Sequence, residues 1–356
     1  MPGLPSDHCC LIMFNDQIEP KWVDVFEAVI ALCKVDHKQS VVILSESQSR
    51  HLNIALTELA LAKIGVNYFH IKVPSPLNAG PAILRSSGSS VALDNQAAAV
   101  KALCEVDFIV DLTVEGLMHS KQTTTILKSG ARILTISNEH PEALERMWPD
   151  PMLKERVREA AALCKKASSM QVSSAAGTDL SVNLKDTPVV GVWGWTDRPG
   201  TLAHWPGGIV VCFPGAGTIN GRLVLQPGDI NLTFKRYLES EVVLTIENDY
   251  AVKIEGKGTD YLLMKNYLES FGDRECYAVS HVGWGLNPAA RYEALTMYDQ
   301  RDTNGTELRA LAGNFLFSTG ANEFAGRFTD GHFDLPMLGC TIELDGKVVV
   351  NDGTLV

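Results

Sequence analysis

Residues 40–45 read Ser-Val-Val-Ile-Leu-Ser, an apolar, largely β-branched run with no polar residue alternating through it. A strand that faces water on one side alternates. A continuous run needs cover on both faces, as an inner strand of a sheet has with helices above and below. The flanking segments fit that setting. Residues 21–34 carry Trp22, Val25, Phe26, Val29, Ile30 and Cys33 at helical spacing, and 51–64 read as a second helix. Residues 66–73 form an expected strand stopped by Pro74, and a Gly/Ser/Pro-rich loop runs on to about residue 90. A helix over 94–104 and strands over 106–113 and 131–138 follow, and 9–14 is a short apolar run before the first helix. This rhythm predicts an open, mostly parallel α/β sheet with helices on both sides, a Rossmann-like domain over residues 1–167. The turn after the first buried strand, Glu46-Ser47-Gln48-Ser49, lacks the glycines that let backbone approach a pyrophosphate, so no dinucleotide site is expected there.

Asp150-Pro151 supplies an N-cap and a first-turn proline for a helix reaching about residue 167. From residue 168 the pattern changes to short alternating segments at 170–172, 180–184, 189–195, 208–213, 222–225, 230–234, 242–246 and 250–254. Glu247-Asn248-Asp249-Tyr250 reads as a hairpin turn, and one helix is expected over 261–271. Residues 168–356 are therefore expected to form a β-rich (α+β) catalytic domain. The glycine-rich stretch Gly215 to Gly221 misses the dinucleotide spacing by one residue and reads as a turn between strands.

Composition narrows the partners. A formal charge of -11 and no basic run argue against nucleic acid, whose phosphates need a basic face. No stretch reaches the roughly 18 apolar residues of a membrane span, and the N-terminus lacks a basic leader. Eight cysteines without a CxxC pair, several in apolar segments, suggest buried thiols in a reducing compartment. A cytoplasmic protein is expected.

The chemistry concentrates late in the chain. In Gly331-His332-Phe333-Asp334, His332 and Asp334 on a strand point to one face, ~6.5–7 Å apart along the chain, while Phe333 and Leu335 turn into a core. An imidazole and a carboxylate so placed suit two cis positions on a small divalent metal. His281, in Ser280-His281-Val282-Gly283-Trp284-Gly285, is the candidate third ligand. Two His and one carboxylate on one face of an octahedral ion are the pattern of mononuclear non-haem Fe(II) oxygenases. Glycines beside Trp193, Trp284 and the histidines suggest backbone yielding to a flat ligand. His119 follows an expected strand's C-terminal end, where open α/β sheets place ligands.

The stretches 280–288 (SHVGWGLNP), 313–322 (GNFLFSTGAN), the terminal HFD and the looser 196–208 (TDRPGTLAHWPGG) resemble the 2,5-dihydroxypyridine 5,6-dioxygenase family of nicotinate and hydroxypyridine breakdown. That family is itself similar to aminopeptidase T-like metallopeptidases. The resemblance implies an Fe(II) site made by His281, His332 and Asp334. It implies an acid–base role for His204, with His119 the weaker candidate, and substrate contacts from Arg309 and Ser318. Read from the residues, Trp193 and Trp284 either wall a flat pocket or are core or interface aromatics. The resemblance implies a small hydroxylated N-heteroaromatic and O₂ as substrates, an N-formylmaleamate-type product, and a homo-oligomer. Asn314 stands where the peptidases would have a His, and His281 replaces an acidic residue, so a two-metal site looks dismantled. Val192 and Arg198 depart from the dioxygenase pattern and put the accepted ring in question. The alternatives are a metal-dependent aminopeptidase-like hydrolase, for which Glu275 is the nearest acidic residue before His281, and a non-catalytic binding protein.

Overall fold

The computed structural model describes residues 17–77, 80–83 and 89–356. The run 9–14 lies outside the described residues, as does part of the loop before residue 90.

The first half forms the expected parallel sheet. Strands β1 (Val41–Glu46), β2 (Tyr68–Val73), β3 (Phe108–Asp111) and β4 (Arg132–Ile136) pair in the order β2-β1-β3-β4. Helices α1 (Pro20–Leu32) and α2 (His51–Ile64) cover one face and α3 (Ala97–Leu103) and α4 (Thr123–Lys128) the other. Val41 and Ile43 pack with the first pair of helices, Val42 and Leu44 with the second. That is why the strand carries no polar alternation. Helices α5 (Pro141–Arg146) and α6 (Pro151–Lys166) follow, the latter capped by Asp150, whose side chain accepts from the Met152 N–H.

Two antiparallel sheets make up the second half. One has eight strands: β5 (Ser169–Ser174), β6 (Asp179–Asn183), then, beyond three strands assigned elsewhere, β10 (Ile219–Leu225) and later partners. The intervening strands are β7 (Val189–Val192), β8 (Leu202–Trp205) and β9 (Ile209–Cys212). After β10 come β11 (Ile230–Asn231) and β12 (Arg236–Tyr237), a small hairpin, then β13 (Val242–Glu247), β14 (Tyr250–Gly256) and helix α7 (Gly258–Phe271). The chain ends with β15 (Val279–Gly285), β16 (Phe315–Thr319), β17 (Phe333–Met337), β18 (Cys340–Leu344), β19 (Lys347–Asn351) and β20 (Thr354–Leu355). The large sheet runs β14-β13-β10-β6-β5-β18-β19-β20, and the smaller one β17-β16-β15-β9-β7. Their inner faces share one core, which includes Val172, Leu180, Leu223, Val282, Phe317 and Leu335.

Strand β8 departs from expectation. It leaves the β-rich half and adds to the first sheet, parallel to β4, with His204 opposite Thr135. Trp205 is buried in the core under α1 and contacts Phe26 edge-on. The parallel sheet thus draws its fifth strand from beyond residue 168. The expected strand over 189–195 stops at Val192, and that over 230–234 shrinks to Ile230–Asn231. Among the described residues no helix is long and apolar enough to cross a membrane.

Candidate metal centre and its cavity

The register of the smaller sheet builds the centre. Antiparallel pairing sets Ser318 of β16 opposite Asp334 of β17, with Phe317 opposite Leu335. Alternation then turns Phe317 and Leu335 into the core and leaves Ser318 and Asp334 on the other face. In β15, Val282 pairs with Phe317 and so faces the core, which leaves His281 on the Ser318 side. The register shifts between Val279 and Val282, a bulge that brings Ser280 and His281 together: Ser280 Oγ lies 3.1 Å from His281 Nδ1. Gly331, just before His332, is closely packed: a Cβ there would run into the Cys276 side chain.

These placements converge. His332 Nε2 lies 3.2 Å from Asp334 Oδ2, and His281 Nε2 lies 3.6 Å from Asp334 Oδ1. The two imidazoles are nearly stacked, 6.1 Å between centroids. Ser318 donates to Asp334 Oδ1 and stands 3.0 Å from His281 Nε2. Arg309 donates from Nε to Asp334 Oδ2. Burial would push the Asp334 carboxyl up, but Arg309 and then His332 outweigh it and hold it well below the usual range. Burial lowers His281 to about 3, so its ring is neutral at physiological pH despite the carboxylate beside it.

The protons do not cover the contacts. Ser280 donates to the Ala321 carbonyl, so it accepts from His281 Nδ1. A neutral ring then has no proton on Nε2, and Ser318 has one hydrogen to share between Nε2 and Asp334. A lone pair, a hydroxyl oxygen and a carboxylate therefore crowd one point short of a donor, which suits a cation. Cis donors about 2.1 Å from a six-coordinate ion stand about 3 Å apart, close to the observed Nε2–Oδ separations. The donor set fits a small divalent metal by chemistry. It is not already spread as a cage: among the described residues no group of three such side chains is arranged to hold an ion, because the imidazoles, Arg309 and Ser318 all turn onto the carboxylate.

A cavity of about 1550 Å³ opens beside the centre, lined among others by His119, Trp193, His204, Phe213, Glu323 and His332. It lies at the C-terminal ends of the parallel strands, where open sheets place ligands. His204 comes in on β8, and His119 on the loop after β3. Burial, and then the Arg309 cation, lower His204 to about 4, so it too is neutral. His119 Nδ1 lies 3.1 Å from Glu323 Oε1. Phe213 packs on His281 at 5.4 Å. Neither Glu323 nor Phe213 stands out in the sequence as a site residue: Phe213 closes the expected strand segment 208–213, and Glu323 sits in a single 3₁₀ turn just beyond the polar tail of 313–322.

Three residues expected to contact substrate lie apart from the cavity lining. Trp284 is buried in the sandwich core and does not line the cavity, since it lies an odd number of residues from His281 and alternation sends it to the opposite face. Arg309 and Ser318 are turned onto Asp334 and are not among the residues lining the cavity. Arg309 rides on a short helix, Thr306–Arg309, whose start is pinned from the first half: Glu139 accepts from the N–H groups of Asn304, Gly305 and Thr306 at 2.8–2.9 Å. Asn314 accepts from the Gly285 N–H and donates to the carbonyls of Leu308 and Arg309, a structural clamp and not a ligand. Glu275 accepts from the Tyr250 hydroxyl and does not line the cavity.

Fold and site define a class: a parallel α/β sheet joined to a β-sandwich, with two imidazoles and a carboxylate gathered on the sandwich face beside the sheet's ligand edge. Known proteins share the fold. A model of the 2,5-dihydroxypyridine 5,6-dioxygenase family matches residues 21–356, and the chain belongs to that family. It is 38% identical over 339 residues to the 2,5-dihydroxypyridine 5,6-dioxygenase of Pseudomonas putida strain KT2440, covering 93% of this chain and 95% of that one. The solved structure of the 2,5-dihydroxypyridine dioxygenase from Pseudomonas putida KT2440 matches with a TM-score of 0.87 at 36% identity, over 94% of this chain and 96% of that chain. Wild-type AmpT from Thermus thermophilus matches with a TM-score of 0.61 at 14% identity, over 94% and 99% of the two chains, and shares the fold alone.

Proposed function

We propose that this chain opens the ring of 2,5-dihydroxypyridine, or of a closely related hydroxylated N-heteroaromatic, by inserting both atoms of O₂ to give an N-formylmaleamate-type product. The observation that carries the proposal is the convergence of His281, His332 and Asp334 on one point, within a chain of this family. These three residues would hold Fe(II), which supplies a route for electron density from an electron-rich ring to O₂.

The chain's own residues do the rest. Ser280 holds the His281 ring by Nδ1, and Arg309 keeps the Asp334 carboxylate ionised and oriented. Trp193 offers one wall of the cavity. His204, kept neutral by burial, can accept a hydrogen bond from a ring hydroxyl. His204→Gln should lower turnover and leave metal content unchanged; loss of metal would make it a ligand. A hydrolase with a second metal is disfavoured by the engagement of Asn314 and Glu275 elsewhere.

We also propose a homo-oligomer, in keeping with the large exposed side chains Phe324 and Phe328 at the cavity rim; a monomeric mass by light scattering would remove this. The deciding experiment is oxygen uptake by protein loaded anaerobically with Fe(II), with the ring's ultraviolet band followed. One O₂ consumed per ring lost supports the reading. No uptake by iron-replete protein with a panel of hydroxypyridines refutes it.

A further inference from the structure

We propose that Glu323 is a positioning residue that fixes the His119 ring by Nδ1, so that Nε2 is the ring nitrogen left to the cavity. The inference rests on the ring-cleaving reading and adds to it a residue.

Two rigid loops bring the pair together. The His119 loop is tied down by Asp111, whose buried carboxylate accepts from the Thr113 and Leu117 N–H groups and from the hydroxyls of Thr113 and Thr135. Gly116 in that loop has φ +79°, and a Cβ there would meet Thr135 Cγ2 at 2.9 Å. The His119 carbonyl accepts from Ser89 Oγ. From the other side, Glu323 opens a single 3₁₀ turn, Glu323–Ala325. Asn322 caps that turn by accepting from the Ala325 N–H and donates to the Pro214 carbonyl, while its backbone pairs with Arg327. Arg327 in turn pairs with the buried carboxylate of Asp249 at 3.2 Å. Phe213 lies against both His281 and Phe324, so the turn is packed beside the metal centre.

With both loops tied in this way, His119 Nδ1 lies 3.1 Å from Glu323 Oε1. An ionised carboxylate only accepts, so Nδ1 donates to Glu323 and Nε2 is the ring nitrogen turned away from it. Burial works against ionisation of Glu323, but the His119 hydrogen bond outweighs it and holds the carboxyl below its ordinary value. A carboxylate behind an imidazole also stabilises the cation formed when the ring takes a proton, which is the orienting role of the acid in a catalytic triad. His204 has a backbone carbonyl, that of Pro206, as its stabilising partner, and it feels the Arg309 cation.

The test combines kinetics with a direct reading of the ring. Glu323→Leu should lower kcat about 30–100-fold with KM within about threefold, a part of the 10²–10⁴ that positioned acid–base groups contribute. His119→Gln should cost at least as much, and the double variant no more than His119→Gln alone, because Glu323 acts through His119. Glu323→Asp should recover most of the rate. In metal-free wild-type protein, ¹⁵N-imidazole NMR should show His119 with its proton on Nδ1, and Glu323→Leu should lose that preference. Multiplying losses in the double variant, an unchanged kcat in Glu323→Leu, or an Nε2-protonated His119 in the wild type would overturn the proposal. If the wild type consumes no oxygen, the ring-cleaving reading fails, and the ring's protonation state still decides the role of Glu323.

Discussion

Asp334→Asn isolates the charge logic of the centre. The replacement has the same shape and can still accept one hydrogen bond, but it removes the only anion in contact with Arg309 among the described residues; the Arg309 side chain is 15% exposed. Arg309 would keep only neutral acceptors, the carbonyl and side-chain oxygens of Asn304 at 3.3–3.4 Å. Removing one partner of a buried ion pair costs about 3–5 kcal/mol, and those acceptors place this case near the low end, at about 3 kcal/mol. Because Arg309 and His332 hold the carboxyl ionised well below the usual range, the loss should be the same across neutral pH. Pairing the change with Arg309→Met removes the orphaned cation, so the double variant should recover about 1–3 kcal/mol relative to the sum of the singles. Urea unfolding of metal-free protein reads both numbers, and metal stoichiometry, which should fall to nothing in Asp334→Asn, reads the ligand role. A cost under about 1 kcal/mol, or a double variant that simply adds, would show that Arg309 does not depend on Asp334. Full metal content in Asp334→Asn would remove the carboxylate from the ligand set.

Three further outcomes follow from the same geometry. Ser280→Ala frees Nδ1 of His281 and should weaken metal binding about 10–100-fold with the fold intact, as read by equilibrium metal titration; unchanged affinity would mean that the bulge alone orients the ring. Gly331→Ala drives a methyl into Cys276 and should cost about 1–3 kcal/mol of stability while displacing His332 and lowering metal affinity; a wild-type thermal midpoint with intact affinity would contradict this. His204 and His281 protonate in the unfolded chain near pH 6.5 but in the folded protein only near 4 and 3, so the unfolded state binds more protons between these values. Stability of the metal-free protein should therefore rise with pH from about 4 to 6.5, by at most about 1.4 kcal/mol per pH unit for each uncompensated histidine; His204→Gln should flatten that slope, and an unchanged slope would contradict the assignment.

Legibility in the sequence tracked how local each cause was. The run 41–44 declared a strand covered on both sides because parity alone assigns its residues to two helix layers. His332 and Asp334 could be placed on one face, with Phe333 and Leu335 in the core, from the same period of two. Parity would also have moved Trp284 off the site, three residues from His281, had it been applied to β15 as it was to β17. Strand β8 could not be assigned to the parallel sheet from four residues, Leu202–Trp205, because a strand's partner is a long-range choice that its own side chains do not state. Glu139 was silent for the same reason: its role is to cap a helix start 165 residues away in sequence, where it settles Arg309.

The two halves of the molecule meet at the site in a way that explains why its residues are so dispersed. The sandwich alone supplies His281, Ser318, His332 and Asp334, and with them a place for a metal. On the open side of that place it contributes Glu323, which contacts His119 of the other half. His204 is held on the parallel sheet by its pairing with β4, and Arg309 is set by Glu139, which follows that sheet. The proposed metal donors are therefore a property of one sheet's register, whereas the proposed proton transfer and the charge balance of Asp334 depend on how the parallel sheet is docked. Substitutions that loosen the docking, at Glu139 or in the β8–β4 pairing, should leave metal affinity less affected than turnover.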